Sequence, residues 1–399
     1  MKFNKWTVAL AAIGVVSLAS AARADEAAPK MIALQTALSN TTISGYVDTA
    51  ATWRPGTDLN RTVPVANTPP YSFTQNDGFS LNAVDIAIDH PEDESPWAAG
   101  YHAELMMGQD PVGLLFAGAG TIRQAYVTLR TPVGNGIDWK MGVWDTVVGY
   151  ESNSDPLNPN YTRSYGYTIE PTTHTGVLAT YKINDMVTVQ AGIADDSNAT
   201  GTIGVNPALA ESQKAYMGDV QFTAPDSAGF LKGATLTLAL VDAAGNNTTS
   251  FGSTSLYAGM SLPTPITALK LGACFDYLEI HDSNGLPNGN AAANSSEDSI
   301  WNLAVYASIQ ATDKLSFNTR AEYLDGEAGP PVVANVFAPP IGGRYSAFEF
   351  TGTVQYNLWM NVISRAEFRW DHATSGNSFG ATVDRRNDFL LALNLIYQF

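Results

Sequence analysis

The chain has 399 residues, a single cysteine and a net charge of −17, with 38 acidic against 21 basic side chains. That acidity disfavours nucleic acid or an anionic surface as partner, and a lone Cys274 excludes an internal disulfide. Hydrophobic residues make up 45% of the chain, yet mean hydropathy is only −0.06, so apolar side chains must stand singly between polar ones, as alternation along strands requires.

Lys2 and Lys5 precede an apolar run from about Trp6 to Ala22, closed by Ala22-Arg23-Ala24, an A-x-A pattern of the kind signal peptidase reads. Residues 1–24 therefore read as a secretory signal. A retained membrane helix fits less well, because the run falls short of the roughly 20 apolar residues a bilayer needs. Residues 25–40 follow as a short periplasmic leader, with Met31, Leu34 and Leu38 at helical spacing.

From residue 41 to 399 the pattern changes to period two. Strands are expected near Thr41 to Arg54, Phe79 to Asp89, Pro96 to Gln109, Thr121 to Thr131 and Gly136 to Asp145. More follow at His174 to Ile183, Met186 to Asp195, Gln213 to Thr223, Gly233 to Val241, Phe251 to Leu262 and Ile266 to Ile280. The last five are Ser299 to Ala311, Lys314 to Leu324, Tyr345 to Leu358, Asn361 to His372 and Asn387 to Phe399. In the terminal strand Phe389, Leu391, Leu393, Leu395, Tyr397 and Phe399 share one face, and the chain closes on an aromatic. Long and short connections alternate without a break, as in a transmembrane antiparallel β-barrel with short periplasmic turns and long extracellular loops. The fold class is therefore all-β, a barrel of about sixteen strands. A soluble β-sandwich has no reason to keep that succession.

About eight strands leave an interior filled by side chains, whereas sixteen leave an aqueous lumen unless a loop or domain fills it. The longest loop, 146–173, is the third, and it combines Glu151, Asp155, Arg163 and Glu170 with Tyr150, Tyr161, Tyr165 and Tyr167. It either lies on the outer surface or folds inward. Strand register assigns Asp48, Asp85, Asp89, Glu104, Asp138, Asp219, Asp276, Glu322, Glu349 and Glu367 to a water-facing inner wall, with Arg130, Lys140, Lys270, Arg320, Arg365 and Arg369. The acidic excess predicts a preference for cations, although one β-bulge would flip a strand's assignment. Arg365, Glu367 and Arg369 form a ladder of alternating charge, either a transverse field or self-neutralising wall packing.

The segments TISGYVDTAATW, GYHAELMMGQDP, IRQAYVTLRTPVGNGIDWKMGVWDTVVGYE and THTGVLATYKINDMVTVQAGI resemble the OmpL-like β-barrel porins, a Gram-negative outer-membrane family. The resemblance covers essentially the chain after residue 24 and is clearest where RQAYV is followed by WKMGVWDT. It implies an outer-membrane porin passing small hydrophilic solutes and ions, with a third loop that folds into the channel. Glu151, Asp155 and Glu170 would then face Arg163 and wall cations at a constriction. It also implies a homotrimer and no catalytic residue, while the terminal strand ending at Phe399 is the expected signal for the barrel-assembly machinery. No cofactor or metal is expected, since no CxxC or CxxC…HxxxH spacing exists and neither the HPEDESP turn nor Asp195-Asp196 matches a calcium loop. A channel selective for a sugar or organic ion remains an alternative, with the loop tyrosines as a stacking path. An outer-membrane enzyme would need a nucleophile, base and orienting group. His90, His102, His174, His281 and His372 are scattered outside any GxSxG or HExxH context, and His102 with Glu104 is their one near pairing.

Overall fold

The structure, a computed structural model, describes residues 40–55, 77–110, 120–195, 214–243, 252–281, 298–327, 344–376, 379 and 385–399. The expected signal and leader lie outside the described residues, apart from Asn40. Sixteen strands run in chain order: β1 Thr42–Trp53, β2 Gly78–His90, β3 Ala99–Gly108, β4 Gly120–Thr131, β5 Ile137–Asp145, β6 Thr173–Lys182, β7 Val187–Ala194 and β8 Ala215–Thr223. They continue as β9 Thr235–Ala243, β10 Gly252–Pro263, β11 Leu269–His281, β12 Asp298–Gln310, β13 Leu315–Glu327, β14 Arg344–Trp359, β15 Val362–Ala373 and β16 Asn387–Gln398. One short helix, α1 (Tyr165–Ile169), interrupts the loop between β5 and β6.

Each strand pairs antiparallel with its neighbours in sequence, and β16 returns to β1 to close the barrel. Closure is completed where Gly45 and Phe399 exchange backbone hydrogen bonds of 3.1 and 3.0 Å. A closed ring leaves no edge, which is the condition for strands to cross hydrocarbon. Among the described residues no helix is long and apolar enough to cross a membrane.

Side-chain alternation decides inside from outside. On β16 Phe389, Leu391, Leu393, Leu395 and Tyr397 face outward, whereas Leu390, Ala392, Asn394 and Ile396 are all at most 5% exposed. Outward rings meet across strands, as in Phe275 with Trp301 and Phe348 with Trp370. They supply the aromatic girdle that suits a membrane interface.

Three register shifts break the alternation, one of them between Asn357 and Trp359 beside the β14–β15 turn. Between β1 and β2 the pairing steps from Asp48 with Ala83 to Thr49 with Leu81, leaving Asn82 extra. Between β3 and β4 it steps from Glu104 with Gln124 to Leu105 with Ile122, leaving Arg123 extra. A bulge puts two consecutive residues opposite one and re-aims a side chain, so Asn82 and Arg123 are both buried inside. The expected third strand also needs correcting at its start. Trp97 is not in β3; it lies in the preceding turn with φ of 65° and is 73% exposed.

Candidate functional site

Loop 3, between β5 and β6, enters the barrel. Its base is pinned where Thr146 N–H donates to the Thr172 carbonyl at 3.0 Å, and most of the residues between are buried. A loop entering a lumen must satisfy its backbone groups there, since an unpaired buried amide or carbonyl costs about as much as a lost hydrogen bond. The charged side chains of β13, β14 and β15 do this.

Glu367 accepts from the backbone N–H of Tyr161 (2.5 Å) and Thr162 (2.9 Å) and from the Thr353 hydroxyl (2.6 Å). Arg365 donates to the Asp155 and Asn158 carbonyls at 3.2 and 2.6 Å. Arg320 donates to the Thr162 and Arg163 carbonyls at 2.7 and 3.0 Å, and Arg369 reaches the Arg163 carbonyl at 2.5 Å. Glu322 caps Tyr165 N–H at 2.8 Å, and the Tyr165 hydroxyl donates to Asp371 at 2.7 Å. Arg320 also pairs with Glu151 at 2.8 Å and Glu349 at 3.2 Å, while Arg369 pairs with Asp371 at 2.8 Å. Register thus assigned these wall residues to the correct face, but the expectation that they meet water is overturned. Arg320, Glu322, Glu349, Arg365, Glu367 and Arg369 are at most 3% exposed because loop 3 lies on them.

The four loop charges divide between the loop and the wall. Arg163 pairs with Asp155 at 2.6 Å, but Glu151 turns to Arg320 and to Ser164 N–H, which donates at 2.7 Å. Glu170 faces Asp276 on β11, and burial together with Asp276, Glu151 and Glu322 pushes its carboxyl well above the usual range. The wall divides the loop charges because each backbone turn of the loop presents a different strand. The tyrosines hold the loop as well. Tyr150 stacks on Tyr306 at 4.2 Å, Tyr161 accepts from Asn82 at 3.1 Å, and Tyr167 lies under the Arg163 guanidinium and bonds Asn153.

The remaining predicted wall residues line β1 to β5 and β8, with Lys270 partly buried on β11. Asp48 accepts from Asn82 and Asn394 at 2.7 and 2.6 Å, and Asp85 is buried nearby. Glu104 binds Arg123, the charge that strict alternation missed, and Arg123 goes on to Asp145 at 2.7 Å. His102 lies between Asp89 at 3.1 Å and Glu104 at 3.2 Å and stacks on Tyr126. Arg130 pairs with Asp138 at 2.5 Å, and Lys140 sits 4.5 Å over the Tyr126 ring. Asp110, at the start of loop 2, was also missed; both its oxygens are buried without a hydrogen-bond partner. Burial and the neighbouring Asp155 and Asp48 raise its carboxyl.

The opposite wall is different. Trp144, Leu178, Ala194, Ala215, Met217, Ala239, Val241, Ala243, Tyr257, Cys274, Ala304 and Tyr306 form one buried apolar cluster from β5 to β12, with Val147, Val148 and Tyr150 of the loop against it. Among the described residues Asp219 is the only charged inward side chain on β6 to β10 between Lys182 at the turn and the Lys214–Asp195 pair beyond the strands.

A closed sixteen-stranded antiparallel barrel with a third loop packed into its lumen has the architecture of an outer-membrane porin. The chain belongs to the family described as Putative beta-barrel porin-2, OmpL-like, which matches residues 40–399. No curated protein matches the sequence. Among solved structures, the chain is similar to OmpT from Vibrio cholerae (trimer form), with 14% identity and a TM-score of 0.59 over 90% of this chain and 99% of that one. It is similar also to an anion-selective porin from Comamonas acidovorans, with 10% identity and a TM-score of 0.59 over 90% and 99%. The outer membrane channel DcaP of Acinetobacter baumannii shares 13% identity at a TM-score of 0.58 over 90% and 97%.

Proposed function

We propose that the protein lets small hydrophilic solutes and ions diffuse across the outer membrane, favouring cations, through a lumen constricted by loop 3. Glu151, Asp155, Arg163 and Glu170 form the loop side of that constriction. Export would use residues 1–24, and assembly the β16 strand ending at Phe399. The observation that carries the cation preference is the imbalance of charge inside. Arg123, Arg163, Arg320 and Arg369 are each committed to a carboxylate, while Asp219 stands on the part of the wall, β6 to β10, that carries no inward lysine or arginine between Lys182 at the turn and the Lys214–Asp195 pair among the described residues. Surplus negative potential in a low-dielectric channel concentrates cations and repels anions. The trimeric form of the Vibrio cholerae relative makes a homotrimer the assembly to test.

Reconstitution into planar bilayers under a potassium chloride gradient tests this reading. The expected result is stable conductance steps with a zero-current potential of cation-selective sign, moved toward zero by Asp219→Asn. That variant removes no ion pair, so loop 3 should stay seated. Silence from correctly folded protein, or anion selectivity, would refute the proposal.

A further inference from the structure

On the inward face of β8 to β12, Asp219, Ala239, Tyr257, Asp276 and Asn302 are paired in register, each directly beside the next. At one end of this row Asp276 is 2% and Asn302 0% exposed. Asp276 interacts with Glu170, Cys274 and Asn302, yet its Oδ1 and the Asn302 Oδ1 are left without a hydrogen-bond partner. Buried polar groups in native proteins are nearly always satisfied, so two such neighbours point to a missing partner.

Loop 3 returns over this corner. A methyl group added to Gly166 would stand 2.4 Å from Asp276 Oδ2 and 2.9 Å from Asn302 Nδ2, so glycine lets the loop pass directly above both. Glu170, just past α1, brings a second carboxyl against Asp276. Neither carboxyl has a basic partner in an ion pair among the described residues, and Arg320 on β13 is taken by Glu151, Glu322 and Glu349.

We propose that Glu170, Asp276 and Asn302 form a binding site for a hard divalent cation of the calcium class, clamped between loop 3 and the β11–β12 wall. Such ions take carboxylate and amide oxygens, and an amide can turn its oxygen toward the metal. Among the described residues no group of three or more His, Cys, Asp or Glu side chains is arranged to hold a metal. Two carboxyls and one amide therefore leave several positions to water, which places the affinity at about 10⁻⁴–10⁻³ M, the range of weak extracellular calcium modules. The ion would tie the returning limb of the loop to the apolar wall.

Terbium titration of the refolded full-length protein in detergent tests the site, because Tyr257 lies beside Asp276 and can sensitise terbium emission. The expected result is saturable emission reversed by calcium chloride. Glu170→Gln and Asp276→Asn should each weaken it about tenfold, equivalent to about 1.4 kcal/mol, while Asp219→Asn should leave it unchanged. Heat-modifiable gel mobility checks that each variant is folded, and Glu170→Gln, being on the loop, keeps the test valid should Asp276→Asn fail to fold. Emission that survives Glu170→Gln overturns the site, as does absence of saturable emission. Binding and conductance are measured separately: conductance without terbium binding removes the site alone, and binding without conductance removes the diffusion reading alone.

Discussion

The two halves of the lumen wall solve different problems. From β13 through β16 and on to β4 the inner face is dense with charge, yet almost none of it is free. Glu367, Arg365 and Arg320 spend their hydrogen bonds on backbone groups of loop 3. From β6 to β10 the inner face is mainly small and apolar, with Ala194, Ala215, Ala239 and Ala243 beside one acid, Asp219. Charge on an inner wall therefore does not by itself mark the path of a solute. Here the charged half acts as a socket for loop 3.

The sharpest way to break this contrast is Arg320→Met. It would leave Glu151, Glu322 and Glu349 buried around an apolar side chain, take the Arg320 donor from the Thr162 carbonyl and leave the Arg163 carbonyl to Arg369 alone. Removing one partner of a buried ionic network costs about 3–5 kcal/mol. The expected outcome is a lower urea midpoint for the folded barrel and larger, noisier conductance steps as the loop leaves its seat. A variant with wild-type stability and wild-type steps would show that the charged half is not the socket.

Glu367→Gln is a milder probe of the same wall. The amide keeps an acceptor for one of the Tyr161 and Thr162 N–H groups but loses the charge that binds both. Trading charged hydrogen bonds for neutral ones should cost about 1–2 kcal/mol, with unfolding shifted and ion selectivity nearly preserved. If selectivity collapses while stability holds, Glu367 faces the conducting path instead of the loop.

How much of this could be read in the sequence follows from which interactions are local. The outward row of β16 and the alternation of long and short connections depend on period two alone, and the barrel follows them closely. Arg365, Glu367 and Arg369 share the inner face, and Arg369 is neutralised within the wall by Asp371, but that does not describe the rest. Their partners are backbone groups about 200 residues away in sequence, such as Tyr161 N–H for Glu367. No strand pattern encodes that. The missed Arg123 did leave a trace, because Arg123-Gln124 sets two polar residues side by side in an alternating strand, and Asn82 beside Ala83 is a fainter case. Adjacent residues of one kind within a period-two run mark a bulge. Inversion of the faces beyond that point can then be anticipated.

The smallest expected effect lies at the foot of the charged half, in the turn before β3. Glu92 is half-buried there, and burial with the neighbouring Asp138 raises its carboxyl from 4.5 to about 7, despite opposing help from Thr128 and Arg130. A carboxyl whose folded value is raised binds its proton more tightly in the folded state, so its contribution is fully present below about 4.5 and is lost as pH rises toward about 7. Glu92→Gln keeps the shape and removes the titration. Wild type and variant should therefore unfold at similar urea concentrations at the acidic end, with the variant becoming the more stable of the two as pH passes through that window. Solvent at the rim screens the effect, so the divergence should be small beside that of Arg320→Met. A difference between the two that stays flat with pH would mean that the turn leaves Glu92 in water, and that the charged half ends at Arg130 and Asp138.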